Sequence, residues 1–233
     1  GLANIEATYK KRMEDARSKL NASSLVTIRA TLIPLSPLYA QEIRNSSQLF
    51  HSWFTCYLTI GSPIVSQRYN LYPRCTAINE RPILRGARRE CAGDMFEMSQ
   101  EVHKDGLIEV QFRTKKLESM EVHLEWILTV VCNGLLMADH FRCGVEAPDV
   151  EYGLELEVFS GQEIVKFAGL GETSLPVRIA TYPVRTPCVF PRYSFSGQSG
   201  GDNISQLVEL IVKDIYDAMG ASAPKGAYVL SWV

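Results

Sequence analysis

The sequence predicts an α+β fold: a mostly antiparallel sheet covered by two long amphipathic helices, with a peripheral helix at the N-terminus. Three observations predict it. Residues 94–113 read as a β-hairpin around Lys104-Asp105-Gly106, because Asp-Gly tolerates the positive φ that a tight turn needs. Two segments carry apolar residues three or four apart, the period of one helix face: Leu117, Met120, Leu124, Ile127, Leu128, Val131, Leu135, Ala138 and Phe141, then Ile204, Leu207, Val208, Ile211, Ile215 and Met219. The strand-like stretches do not alternate with helices in the regular way that builds a parallel βαβ sheet.

In chain order, residues 5–20 form a charged helix with a thin apolar stripe, and its interleaved Lys, Arg, Glu and Asp make a solvated face. Residues 25–33 alternate Val26, Ile28, Ala30 and Leu32 with Thr27, Arg29 and Thr31, a half-buried strand. Ser36-Pro37 reads as an N-cap and first helical position, opening a short helix toward Arg44. Paired apolar residues at Leu49/Phe50, Trp53/Phe54 and Tyr57/Leu58 recur every four positions and favour a helix over 47–58. The turn-rich stretch 63–82 holds a short strand at 75–78, and Arg81 to Arg89 is the densest positive charge in the chain. Tyr152, Leu154, Leu156 and Val158 alternate with Glu155 and Glu157, a strand whose glutamate face should meet water. A further strand runs through 176–185. Asn203 with Gln206 resembles a capping box for the second long helix, and Gly220 suits its end.

A chain of 233 residues supports one substantial domain. The expected division is an N-terminal helix or linker at 1–22, a single domain at 23–222 and a tail at 223–233. With 46% hydrophobic residues, 21% charged and a net charge of −2, no global attraction draws the chain to nucleic acid or membrane. The longest apolar run, 126–138, is shorter than the roughly 20 residues that span a bilayer. Gly1-Leu2-Ala3-Asn4 carry neither a basic region nor an apolar one that would direct secretion, so a cytoplasmic location is expected, with all six cysteines reduced. A start on Gly1 suggests an internal fragment. The aromatic set Trp53, Phe54 and Tyr57 and the apolar tail 228–233 suggest self-association, a homodimer by default.

Motifs for chemistry are sparse. His103, His123 and His140 have no zinc-ligand spacing, and no nucleophile elbow, P-loop or dinucleotide fingerprint is present; no catalytic residue, metal or cofactor is assigned. Two binding candidates remain. Arg81, Arg85, Arg88 and Arg89, in a segment taken as flexible around Gly86, form a candidate phosphate clamp for nucleic acid, flanked by Glu80, Glu90 and Asp94. Gly200 and Gly201 enter a helix N-terminus, a candidate anion site opposed by Asp202.

The order Arg74-Cys-Thr-Ala-Ile, Arg85-Gly-Ala, Gly93-Asp94 and Val102-His-Lys-Asp-Gly-Leu-Ile-Glu-Val, followed by a long helix and an alternating strand, resembles the C-terminal region of bacterial Schlafen-like (Alba-2-type) ATP-binding or DNA-binding proteins. Lys104-Asp105-Gly106-Leu107-Ile108-Glu109 is similar to a hairpin that recurs in that family. The resemblance spans Leu25 to Gly220. The family's N-terminal E-x-x-x-[EF]-K signature and glycine-rich segment are absent, so its nucleotide chemistry is carried onto no residue here. The resemblance implies an accessory module and no activity of its own; with the absent motifs and the start on Gly1, the leading expectation is a non-catalytic sensor or interaction domain of a larger bacterial protein, whose nucleic-acid- or nucleotide-binding part lies upstream. The alternatives are a nucleic-acid-binding domain acting through the arginine segment, and a nucleotide-processing enzyme.

Overall fold

The computed structural model describes residues 3, 4, 7, 8, 11, 26–43, 56–61, 66–70, 77–114, 121–171, 179–196, 201–226 and 228–232. Strand outweighs helix among them. The largest sheet has eight strands: β1 (Val26–Pro34), β4 (Ala77–Ile83), β5 (Gly86–Ala92), β6 (Phe96–His103), β7 (Ile108–Thr114), β9 (Tyr152–Ser160), β12 (Cys188–Val189) and β13 (Tyr193–Phe195). Its order is β12-β9-β1-β7-β6-β5-β4, with β13 also on β9, and every pairing in it is antiparallel. A second sheet joins β8 (Glu121–His123), β10 (Ile164–Leu170) and β11 (Ile179–Arg185). A third joins β2 (Cys56–Gly61), β3 (Ser66–Asn70) and β14 (Tyr228–Trp232). The one parallel pair among the described residues is β8 with β10.

The β6–β7 hairpin is organised as its sequence implies. Gly106 takes φ +85°, its N–H donates to the His103 carbonyl, and its own carbonyl accepts from the Tyr152 hydroxyl at 3.0 Å. Only glycine suits both demands, because a Cβ there would also press on Tyr152 Oη at 3.1 Å. Tyr152 is thereby fixed, and with it the start of β9.

Helix α1 (Leu124–Gly144) follows β8 directly and packs on β1 and β7, while β8, β10 and helix α2 (Gly201–Met219) close its other sides. Leu124, Ile127, Leu128, Val130, Val131, Leu135, Met137, Ala138 and Phe141 are all buried, and so are Thr129 and Asn133. Their polar groups are met locally: Thr129 Oγ1 donates to the Glu125 carbonyl, Asn133 Nδ2 to that of Thr129, and Gln100 of β6 reaches Asn133 Oδ1. Burying one leucine-sized side chain here contributes about 1.5–3 kcal/mol. Arg142 closes the far end by donating to Asp139 and to the Val150 carbonyl, with its guanidinium 4.4 Å from the Phe195 ring.

The expected architecture is overturned in its covering layer. Two long amphipathic helices do not cover a sheet: α1 is buried on nearly all sides, and α2 packs on α1, β11, β13 and β14 instead of spreading over the large sheet. A helix enclosed between layers has no solvent face, so its periodic positions understate its burial. The peripheral N-terminal helix falls largely outside the described residues; Ala3, Asn4, Ala7, Thr8 and Lys11 are helical and exposed. Residues 35–43 hold no helix, and of the pairs read as helical over 47–58, Tyr57/Leu58 lies in β2, where an aromatic residue suits a strand, while Leu49/Phe50 and Trp53/Phe54 lie outside the described residues. β1 is buried on both faces, one of them packed against α1.

α2 begins at Gly201, and Asn203 Nδ2 donates to the Ser196 carbonyl in place of a capping box. Gly220, at φ +67°, ends it. Beyond it β14 pairs with β2, and Tyr228 and Leu230 are buried. Cys91 is disulfide-bonded, which corrects the expectation of six reduced thiols, while Cys132, Cys143 and Cys188 form no disulfide. Sequence spacing does not report the close Cβ approach that a disulfide requires. No helix among the described residues is long and apolar enough to cross a membrane.

Candidate binding site on the polar face of the large sheet

Antiparallel register places directly opposed residues on one face, so the strand pairings generate rows of side chains across the sheet. On the face away from α1, one row runs Glu155, Thr31, Glu109, Glu101, Arg88, Arg81 from β9 to β4. The next runs Glu157, Arg29, Gln111, Ser99, Glu90, Asn79, and the third Phe159, Thr27, Arg113, Glu97, Ala92, Ala77. Glutamates and arginines from six strands therefore share one surface.

Its centre is closed. Arg29 Nη2 donates to Glu109 Oε2 at 2.5 Å and its Nη1 lies 4.0 Å from Glu157 Oε1, with all three residues buried. Glu157 is 2% exposed, so the glutamate face of β9 does not meet water at this position. Gln111 Nε2 donates to Glu109 Oε1 at 2.6 Å, which leaves its amide oxygen as an acceptor. Glu109 and Glu101 oppose each other directly, a repulsive placement relieved on both sides. Arg29 serves the first, while Arg88 Nη1 at 2.5 Å and His103 Nε2 at 3.1 Å serve the second. Burial pushes the Glu101 carboxyl up, but the hydrogen bonds and charges of His103 and Arg88 outweigh it and bring it down to about 2. Burial likewise works to lower the Arg88 guanidinium, and Glu101 with Glu90 outweighs it and raises it.

The four arginines singled out in the sequence do not lie on a flexible loop. They belong to the β4–β5 hairpin, which turns at Leu84 and Arg85. Arg85 is exposed at that turn, and Arg81, on the edge strand, lies 3.6 Å from Glu90. Arg88 is bound to Glu90 and Glu101. Arg89 faces the opposite side, toward α1, 1% exposed and 3.8 Å from Glu80. The cluster is thus divided between two faces and a tip. Gly200 lies outside the described residues, and Gly201 is the first residue of α2. His103 pairs with Glu101, His123 lies against Trp126, and His140 is exposed; no group of His, Cys, Asp and Glu among the described residues is placed to hold a metal ion.

Beside the closed centre the face opens into a pocket of about 450 Å³ over β4 to β7. Asn79, Arg88, Glu90, Glu97, Ser99, Gln111 and Arg113 give it polar walls, and Ala77 and Ala92 give it apolar ones. Sequence reading missed Arg29, Glu109, Gln111, Arg113 and Glu157. Their period-two placement is visible in the chain, but the register that unites them is not. No protein-family model, no curated protein and no solved structure matches this chain.

Proposed function

We propose that this chain is a sensor and interaction module, the accessory part of a larger bacterial protein. The observation that carries the reading is the contrast on the polar face: a central set of charges buried and bound to one another, bordered by an open polar pocket. Charges tied up in this way hold a surface in shape, and a pocket of this size falls in the range that takes small ligands. The exposed edge strand β4, with Leu84 at its hairpin tip 97% exposed, adds a surface for a protein partner. Membership in a larger protein rests on the resemblance of the Lys104–Glu109 hairpin to the Schlafen-like family.

The nucleic-acid reading keeps Arg81 and Arg85 as its accessible cations, beside Glu80 and Glu90. Two phosphate contacts give a log-log salt slope no steeper than about −1.8 on duplex DNA. A thermal-shift screen of the purified chain against small metabolites, nucleotides and oligonucleotides at low salt separates the readings. A sensor gains about 2.7 kcal/mol from a ligand present at 100 times its Kd, and mass spectrometry recovers that ligand unchanged. Turnover of the ligand, or stabilisation by oligonucleotides alone with the salt slope above, overturns the proposal.

A further inference from the structure

We infer that the free edge of β13, beside α2, takes an extended peptide of a partner protein as an added strand, one in which a basic residue alternates with apolar ones. This rests on the interaction-module reading and gives it a place and a partner class.

The backbone fixes where such a strand pairs. Leu35 N–H donates to the Glu151 carbonyl at 2.8 Å, and Phe190 N–H donates to the Leu156 carbonyl at 3.0 Å. Backbone groups of successive strand residues turn to opposite sides, so Glu151 and its alternates serve β1, while Tyr152, Leu154 and Leu156 serve the outer edge of β9. β9 keeps one register with β1 throughout, so this alternation is unbroken. Tyr193 opposes Leu154 and Phe195 opposes Tyr152; both bond inward, and the N–H and C=O of Ser194 between them turn outward. Ser194 is exposed, and those two groups have no partner among the described residues. Ser196 turns the same way, and its carbonyl accepts from Asn203 Nδ2 of α2 at 3.0 Å. The outward side of Ser194 therefore borders α2, and a pocket of about 380 Å³ lies there, lined in part by Glu151, Ser194, Gln206, Leu207 and Leu210.

Side chains select the peptide. α2 lies on the Tyr193 face of β13, where the Tyr193 hydroxyl donates to Asp214 at 2.7 Å. Peptide residues on either side of the one paired with Ser194 face Leu207 and Leu210, and Leu210 is 48% exposed. The paired residue itself shares the other face with Ser194 and with Glu151, since Gly153 opposes Ser194 and Glu151 is its next alternate. Glu151 is exposed and makes no ion pair among the described residues, while the nearby cation Arg192 is bound to Glu155. The free charge at the pocket is thus negative and complements a lysine or arginine at the paired position. Strand addition draws affinity from main-chain hydrogen bonds and specificity from alternate side chains, and this edge offers both.

Fluorescence polarisation of labelled, C-amidated heptapeptides with the full chain tests this. The probes are peptides centred on Leu-Lys-Leu and the same peptides with Glu in place of Lys. The Lys peptides should bind, and the Glu peptides should bind about fivefold more weakly or worse, the upper size of an exposed charge pair. Ser194→Pro removes the outward N–H and leaves the inward pairing of its neighbours, and should weaken binding about tenfold. Leu210→Asp, at an exposed position, should weaken it as much, and Glu151→Gln should narrow the gap between Lys and Glu peptides. Arg85→Gln, at the β4–β5 tip, should change nothing. Melting curves show which variants are folded, and Leu210→Asp carries the test if Ser194→Pro is not. The inference is overturned if neither peptide set binds wild type, if both bind equally, or if Leu210→Asp leaves binding intact. It is also overturned if wild type dimerises in sedimentation and Ser194→Pro does not, which gives this edge to a second copy. With the peptide edge excluded, stabilisation by a small ligand at the polar-face pocket would leave the sensor reading standing.

Discussion

Arg29 and Glu109 meet at 2.5 Å in the middle of the large sheet, on neighbouring strands and both buried, with Glu157 on the other flank. One cation thus holds two buried carboxylates. Replacing Arg29 by Met takes the counter-charge from buried Glu109 and should cost about 3–5 kcal/mol, the loss seen when one partner of a buried pair is removed. Urea unfolding of Arg29→Met against wild type measures it, and a loss below about 1 kcal/mol would refute the arrangement. Glu109→Gln should cost less, because Glu157 remains to neutralise Arg29.

Helix α1 approaches β1 closely at Gly134, where a Cβ would lie 2.5 Å from Leu32 Cδ1. Alanine favours a helix over glycine by about 1 kcal/mol. The clash opposes this, and overpacking a filled core costs about 1–3 kcal/mol. Gly134→Ala should therefore lower stability despite its better helix propensity. The additional change Leu32→Val should recover part of the loss, and a double-mutant cycle by chemical denaturation should return a non-additive coupling.

Glu101 ties stability to acid. Its carboxyl lies near 2 in the folded protein and near 4.3 in an unfolded chain, so the native state favours the ionised form. That contribution is fully present above the unfolded value and is lost as pH falls from about 5 toward 2. It amounts to about 3 kcal/mol at most. Glu101→Gln should flatten this part of the pH–stability curve, measured by denaturant midpoints between pH 2 and 7. An unchanged acid limb would rule out the role of the Arg88–Glu101–His103 set.

The arginine hairpin divides into two pairs with opposite expectations. Arg81→Ala and Arg85→Ala, at exposed positions, should stay within about 0.5 kcal/mol of wild type. Arg89→Ala removes a buried guanidinium beside Glu80, and Arg88→Ala leaves Glu101 without its stronger partner. The Arg88/Arg89 double variant should unfold at markedly lower denaturant than the Arg81/Arg85 one. Equal stability of the two would restore the picture of a solvated basic loop.

What the sequence determined by itself is local. The β6–β7 hairpin follows from period-two patterning around Asp105-Gly106, α2 from an apolar stripe that ends at Gly220, and β1 and β9 from their alternation. Each of these depends on neighbours a few residues away. Tertiary structure decided which faces are covered and which distant residues meet. Thr27, Arg29 and Thr31 carry a pattern that fits a solvated face, yet they are buried because the far side of β1 is closed. Arg88 and Arg89, adjacent in sequence, part to opposite faces because the segment is a strand, and the β5–β6 register gives Glu101 to one and Gln100 to the other. Alternation along a strand fixes that it has two faces. Burial of each face, and the charge set against it, arise only when the strands are aligned.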